Sequence, residues 1–169
     1  QRQMCIRDRD YIMLKFSLEN PIYFKLGSYV ECNFGLFEVC DLQKPAFNTN
    51  TAGYDYELRL DAYYWKWKNK IFKYTPETAG QEASWNLTAP LDVQVGIVLR
   101  NLKALGYAYK GQDFVFSIDS TVENKSQLMS YDNINILDAC FEMAKKWDCE
   151  CWVTENIIHF GRCESGDAV

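Results

Sequence analysis

The sequence predicts a two-part, β-rich α+β fold. Three observations carry that prediction. Apolar and charged residues alternate with period 2 across Tyr54–Tyr64. Apolar residues recur at helical spacing in two segments after residue 85. Between these regimes lies "YTPETAGQEAS" (74–84), rich in the residues that break regular structure.

In the first half, "YIMLKFSL" (11–18) is apolar and β-prone, and "ENP" (19–21) turns it into "IYFKL". Gly27-Ser28 leads to "YVECNF"; Gly35 then turns the chain into "LFEVCDL", which Pro45 closes. "NTNTAG" (48–53) is a loop by composition. The stretch "YDYELRLDAYYWKWKNKIFKY" (54–74) follows, with eight aromatic rings and four lysines in 21 residues. Tyr54, Tyr56, Leu58, Leu60, Ala62 and Tyr64 share one face of a strand, and Asp55, Glu57, Arg59 and Asp61 the other. The phase then flips. Tyr63, Trp65 and Trp67 become the apolar set, and Lys66, Lys68 and Lys70 the charged one. A strand keeps one face in the core unless it bends, so a bulge near Tyr63-Tyr64 or a second packing partner is expected.

The second half changes period. "LTAPLDVQVGIVLRNLKALG" sets Leu91, Val95, Val98, Leu99, Leu102 and Leu105 on one helix face, with Thr88 as its expected cap, Pro90 in its first turn and Gly106 as its stop. "YAYKGQDFVFSID" reads as loop then strand. "YDNINILDACFEMAKKWDC" is a second amphipathic helix with Leu137, Cys140, Phe141, Ala144 and Trp147 inward, capped by Asp132 or Asn133. "ECWVTENIIHFG" is a hairpin around Thr154-Glu155-Asn156.

The totals narrow the function classes. At 169 residues the chain fits one large domain or two small ones, against a prior of roughly 100–200 residues per domain. A net charge of −5 argues against a phosphate-binding surface spread over the molecule. No apolar run approaches the ~20 residues that span a bilayer, and no apolar h-region of a signal peptide follows the basic N-terminus. "QRQMCIRDR" (1–9) resembles translated adapter sequence and is set aside from the fold. The C-terminal "GRCESGDAV" lacks a closing element, so a fragment of a longer protein is expected. The seven cysteines form no regular framework and read as reduced thiols used as small apolar residues.

No nucleophile–base motif, phosphate loop or dinucleotide fingerprint is present, so neither enzymatic activity nor a cofactor is expected. Cys149, Cys151, His159 and Cys163 could supply four zinc ligands if the hairpin brought them together. A C-x-C pair chelates poorly, and the alternative is that the two thiols fill space between Trp147 and Trp152, so no metal is expected. The aromatic stretch could be a binding platform, either a sugar surface with Trp65, Trp67, Lys66 and Lys68 contacting a glycan, or a surface for single-stranded nucleic acid. Its period-2 pattern favours a core with a solvated lysine face.

The residues resemble a family. "PIYFKLGSYVECNFGLFEVCDLQKPAFNTNTAGYDYELRLDAYYWKWKNKIFKY" looks like the opening region of phage and prophage tail-tip proteins of the tail-associated, "prophage endopeptidase tail" type. The shared patterns are a "gsYve…g-x-F-e-l" hairpin and a "p…G-Y-x-Y-E-L-x-L-D-A" strand. "FSIDSTVENKSQLMSYDNINILDACFEMAKKWDCECWVTENIIHFGR" is similar to the segment that follows in such proteins. The resemblance implies a baseplate-hub-like fold: a barrel-like antiparallel β domain at 10–76, a linker at 77–84, an α+β domain at 85–165, and a truncated end at 166–169. It implies a structural part of the tail tip, located in the virion tail and assembled in the bacterial cytoplasm. Implied partners are further copies in a homotrimer, the distal tail protein and the tape-measure protein, with no membrane and no specific nucleic acid. Any peptidoglycan hydrolase or endopeptidase region of the family would lie further downstream. Under this reading Tyr63, Trp65 and Trp67 meet either the second domain or a neighbouring subunit. The alternative is a cell-wall-active or glycan-binding protein that uses the 54–74 stretch.

Overall fold

Strand β5 (Gly53–Ala62) organises the first half, and its alternation is the reason. The computed structural model describes residues 11–42, 44–78 and 82–162. The chain divides into two compact units between Trp65 and Lys66, so residues 66–76, written above with the first half, belong to the second unit.

In the first unit β1 (Tyr11–Leu18) runs antiparallel to β5 without interruption, from Tyr11↔Asp61 to Leu18↔Tyr54. The hairpin of β2 (Tyr29–Cys32) and β3 (Gly35–Val39) lies on the other side of β5, giving the order β1-β5-β3-β2. β4 (Ala46–Asn48) continues along that same side. β3 pairs with β5 from Phe37↔Ala62 to Val39↔Leu60, and β4 from Ala46↔Asp55 to Asn48↔Gly53. The sheet is a curled antiparallel half-barrel. Phe37, Val39, Tyr56, Leu58, Leu60 and Ala62 are buried in it, as the period-2 pattern requires.

Three expectations for this unit are corrected. "IYFKL" is not a strand but a loop whose backbone is held by a side chain. The Ile22 N–H donates to Tyr56 Oη at 2.6 Å, and that hydroxyl donates to the Ile22 carbonyl at 2.8 Å. The Tyr56 ring is in turn stacked on Phe16 and met edge-on by Phe24. The phase flip after Ala62 is not a bulge within the strand. The strand ends there, and a 3-10 helix, Trp65–Asn69, changes the period. Asp61, written to the charged outer face, is buried beside Arg59, whose guanidinium also lies over the Tyr11 ring at 4.1 Å.

The second unit holds two substantial helices. β6 (Ser84–Ala89) pairs antiparallel with β10 (Gln127–Asp132). β11 (Glu150–Thr154) and β12 (Ile157–Gly161) form the expected hairpin, and β9 (Val115–Ile118) lies parallel to β12. A small hairpin, β7 (Ala108–Tyr109) and β8 (Gln112–Asp113), precedes β9. Helix α1 spans Leu91–Ala104 and α2 spans Ile136–Lys146.

The caps differ from expectation. Thr88 is paired within β6, opposite Leu128, and α1 starts at Pro90 with no side-chain cap. β10 runs on to Asp132 and Asn133 sits in a positive-φ turn, so Asn135 caps α2 by accepting the Asp138 N–H at 2.8 Å. Gly106 (φ +71) stops α1 as expected. Its N–H donates to the Lys103 carbonyl, and the Tyr107 N–H reaches back to Leu102 at 2.9 Å.

The strap of chain from Trp67 to Tyr74 is built into this unit. The Phe72 N–H donates to the Ile134 carbonyl at 2.8 Å, and the Ile136 N–H to the Lys70 carbonyl at 2.9 Å. Buried Asn101 on α1 clamps Lys73: it accepts the Lys73 N–H at 3.0 Å and donates to the Lys73 carbonyl at 2.8 Å.

Candidate assembly surface

The eight rings of the 54–74 stretch are spread over both units. Tyr56 belongs to the first unit, as described. In the second, Trp67 is 0% exposed and meets Phe114 edge-on, with centroids 4.9 Å apart. Phe72 is 0% exposed and packs on Trp85 and Tyr131. Tyr74 covers Trp85 from the outside. Tyr63 and Trp65 are half-buried. The lysines are engaged as well: Lys66 Nζ lies over the Tyr107 ring at 4.8 Å, and Lys68 is 3.7 Å from Asp138. Trp65, Lys66, Trp67 and Lys68 therefore do not form one open platform, because the second tryptophan is a core residue.

The hairpin separates the residues weighed as metal ligands. In the β11–β12 register Cys151 lies opposite Phe160, and His159 opposite Trp152. Adjacent pairs in a ladder face opposite sides of the sheet. Cys151 is accordingly buried, while His159 stacks on Trp152 with centroids 5.1 Å apart and has Nε2 2.6 Å from the Thr154 hydroxyl. Burial lowers the His159 pKa, which favours the neutral ring. Cys149 is half-buried, and burial followed by the charges of Asp148 and Glu150 pushes its thiol up to about 11. Cys163 lies outside the described residues. Among the described residues no group of three or more His, Cys, Asp and Glu is placed to hold a metal ion.

What the first unit does present is apolar. Of the large hydrophobic residues that are exposed among the described ones, nine lie in residues 11–47 and six in the larger second unit. Phe34 is 83% exposed, Leu42 80% and Tyr23 76%. Each lies outside the strands. Tyr23 follows Ile22, whose backbone Tyr56 clamps. Phe34 tips the β2–β3 hairpin before Gly35 (φ +126), and Leu42 lies between β3 and β4. Tyr23 lies in "IYFKL", and Phe34 and Leu42 end "YVECNF" and "LFEVCDL", segments with strand composition, but the strands stop short of all three. The available signal was a large apolar residue inside turn chemistry, as in "NFG".

Beside Leu42 runs an open groove of about 910 Å³, with Lys15, Lys44, Asp55 and Glu57 among its lining. Its carboxylates are already committed. Asp55 accepts from Ser17 and Asn48, which lowers its pKa, and Glu57 pairs with Lys15 at 3.1 Å. Among the described residues, β1 pairs only with β5, and its Tyr11 and Met13 are exposed. An eight-residue edge strand of this kind is a template for pairing with another chain.

No helix among the described residues is long and apolar enough to cross a membrane. No protein family's profile matches the chain, and no curated protein matches it in sequence. The structure is similar to that of prophage tail protein gp18 from Listeria monocytogenes EGD-e, with a TM-score of 0.58 at 11% identity. The match covers 93% of this chain and 46% of that one, so the chain spans just under half the length of the protein whose fold it shares.

Proposed function

We propose that this chain is a structural component of a phage or prophage tail, acting at the tail tip as part of a baseplate-hub-like assembly. The fold shared with a prophage tail protein supports the setting. The observation that carries the role is the set of large apolar side chains exposed on the first unit, with Tyr23, Phe34 and Leu42 foremost. Tyr and Phe are enriched where one protein meets another. The partners in this reading are further copies of the chain, as a trimer, and the distal tail and tape-measure proteins. Tyr63 and Trp65, half-buried after β5, are held as secondary contacts. The chain works in the virion tail after assembly in the bacterial cytoplasm, and its role is mechanical, with no catalytic step. The glycan-binding alternative lacks a comparable observation, since one of its two tryptophans is buried.

Electron microscopy of particles labelled with an antibody against residues 82–162 tests the reading. Label at the end of the tail is expected. Tailed particles that carry no label would overturn it.

A further inference from the structure

We propose that the two edges of the first unit's sheet join copies of the chain: β1 of one copy adds to β2 of the next, and the sheet runs on from chain to chain. Among the described residues, β1 and β2 are the two ends of the strand order β1-β5-β3-β2. β1 is eight residues long, holds no proline, and pairs with β5 residue for residue over its whole length. β2 is a four-residue strand, also without proline. A regular strand open along one side is a template for a strand of another chain.

Three features fit one edge to the other. The first is direction. Every neighbouring pair in β1-β5-β3-β2 is antiparallel, so β2 runs against β1. A second copy's β1 laid beside β2 keeps the alternation. The second is facing. Leu14 and Phe16 lie opposite the buried Leu58 and Tyr56, and Val30 opposite the buried Phe37, so these three half-buried residues share the inner face of the sheet. Cys32, two residues past Val30, shares it too. The third is charge. Lys15 is the one charged residue of β1 and Glu31 the one charged residue of β2, and both are exposed.

Setting Lys15 opposite Glu31 of the next copy fixes the register. Leu14 then meets Cys32, Phe16 meets Val30 and Ser17 meets Tyr29. All four residues of β2 are paired, and the inner faces match. A slip of one residue would turn the inner side chains outward. Opposite charges across a ladder attract and like charges repel, so this pair selects the register. The backbone hydrogen bonds and the apolar row supply the strength. Lys15 already meets Glu57 at 3.1 Å, so in the seam it lies between two carboxylates. Pairing β1 with a second β1, or β2 with a second β2, offers neither charge an opposite. Each copy therefore gives β1 to one neighbour and β2 to the other, a head-to-tail contact that closes into a ring or extends as a filament. The inference rests on the self-association proposed above and names its seam.

Sedimentation equilibrium of the full-length protein tests the seam, with Lys15→Glu, Glu31→Lys and both together. Each single substitution sets like charges opposite and should raise the dissociation constant about tenfold. The double variant swaps the pair and should return to within about threefold of the parent. Lys15→Glu also sets a second carboxylate opposite Glu57 within the chain, in the single and the double variant alike. Recovery in the double variant therefore separates the seam from damage to the fold. An oligomeric parent whose affinity neither single substitution changes, or a double variant no tighter than the singles, would overturn the seam and leave self-association standing. A parent that stays a monomer would overturn both.

Discussion

Trp67 shows how much one side chain decides. Its position past the phase flip points to a contact with the second domain or a neighbouring subunit, and its ring is fully enclosed against Phe114 within the second unit. Replacing it with alanine should cost the second unit about 3–5 kcal/mol, because a large aromatic leaves a cavity its neighbours cannot fill. Denaturant unfolding checks this: a midpoint unchanged from the parent would return Trp67 to the surface. Asn101 was hidden from pattern reading, since a polar residue on a helix normally marks the solvent face. Here it satisfies both backbone groups of Lys73. Asn101→Ala strands them and should cost about 2–4 kcal/mol in the same measurement. Glu77 and Arg100 are 23 residues apart and meet in a bidentate pair at 2.9 and 2.8 Å. The Arg100 hydrogen bonds hold the Glu77 carboxyl below its ordinary 4.5. A depressed carboxylate contributes stability above its unfolded pKa and loses it as pH falls through the folded one. Both side chains are about half exposed, so solvent screens the pair and its share of stability is small. NMR titration should place the Glu77 midpoint below that of a free glutamate and move it upward in Arg100→Gln.

Elements were legible where a period was long and clean. The alternation over Tyr54–Ala62 gave β5, and helical spacing gave α1 to within a residue at either end. Failures came where tertiary contacts outweighed local signals. "IYFKL" has strand composition, but the Tyr56 hydroxyl fixes its backbone as a loop. The caps slipped because the neighbouring strands β6 and β10 run further than turn residues suggested. The end of α2 supplies a test of this local chemistry. Asp148 sits at φ +53 after the helix, with its N–H on the Lys145 carbonyl and the Cys149 N–H on Ala144. That is the left-handed position where glycine is preferred. Asp148→Gly should stabilise the protein by about 0.5–1 kcal/mol, visible as a higher melting temperature. A lower one would mean that the Asp148 side chain has a role its backbone does not reveal.

At the scale of the whole molecule, the division of labour between the halves is the main finding. The second unit encloses Trp67, Phe72, Trp85, Phe114, Tyr131 and Phe160, while the first leaves Tyr23, Phe34 and Leu42 more than three-quarters exposed. Sequence pattern disclosed the two-part α+β architecture, because burial within a unit leaves a periodic trace. It did not disclose the exposure of Tyr23, Phe34 and Leu42, because loop and turn residues follow no period of the chain. Covered aromatic anchors are frequent hot spots in interfaces. The most direct measurement is sedimentation velocity on the full-length protein carrying Tyr23→Ser and Phe34→Ser. An assembly role predicts that the parent sediments as an oligomer and the double variant as a folded monomer with an unchanged melting temperature. A double variant that sediments with the parent would show that these turns are not where the molecule meets its copies.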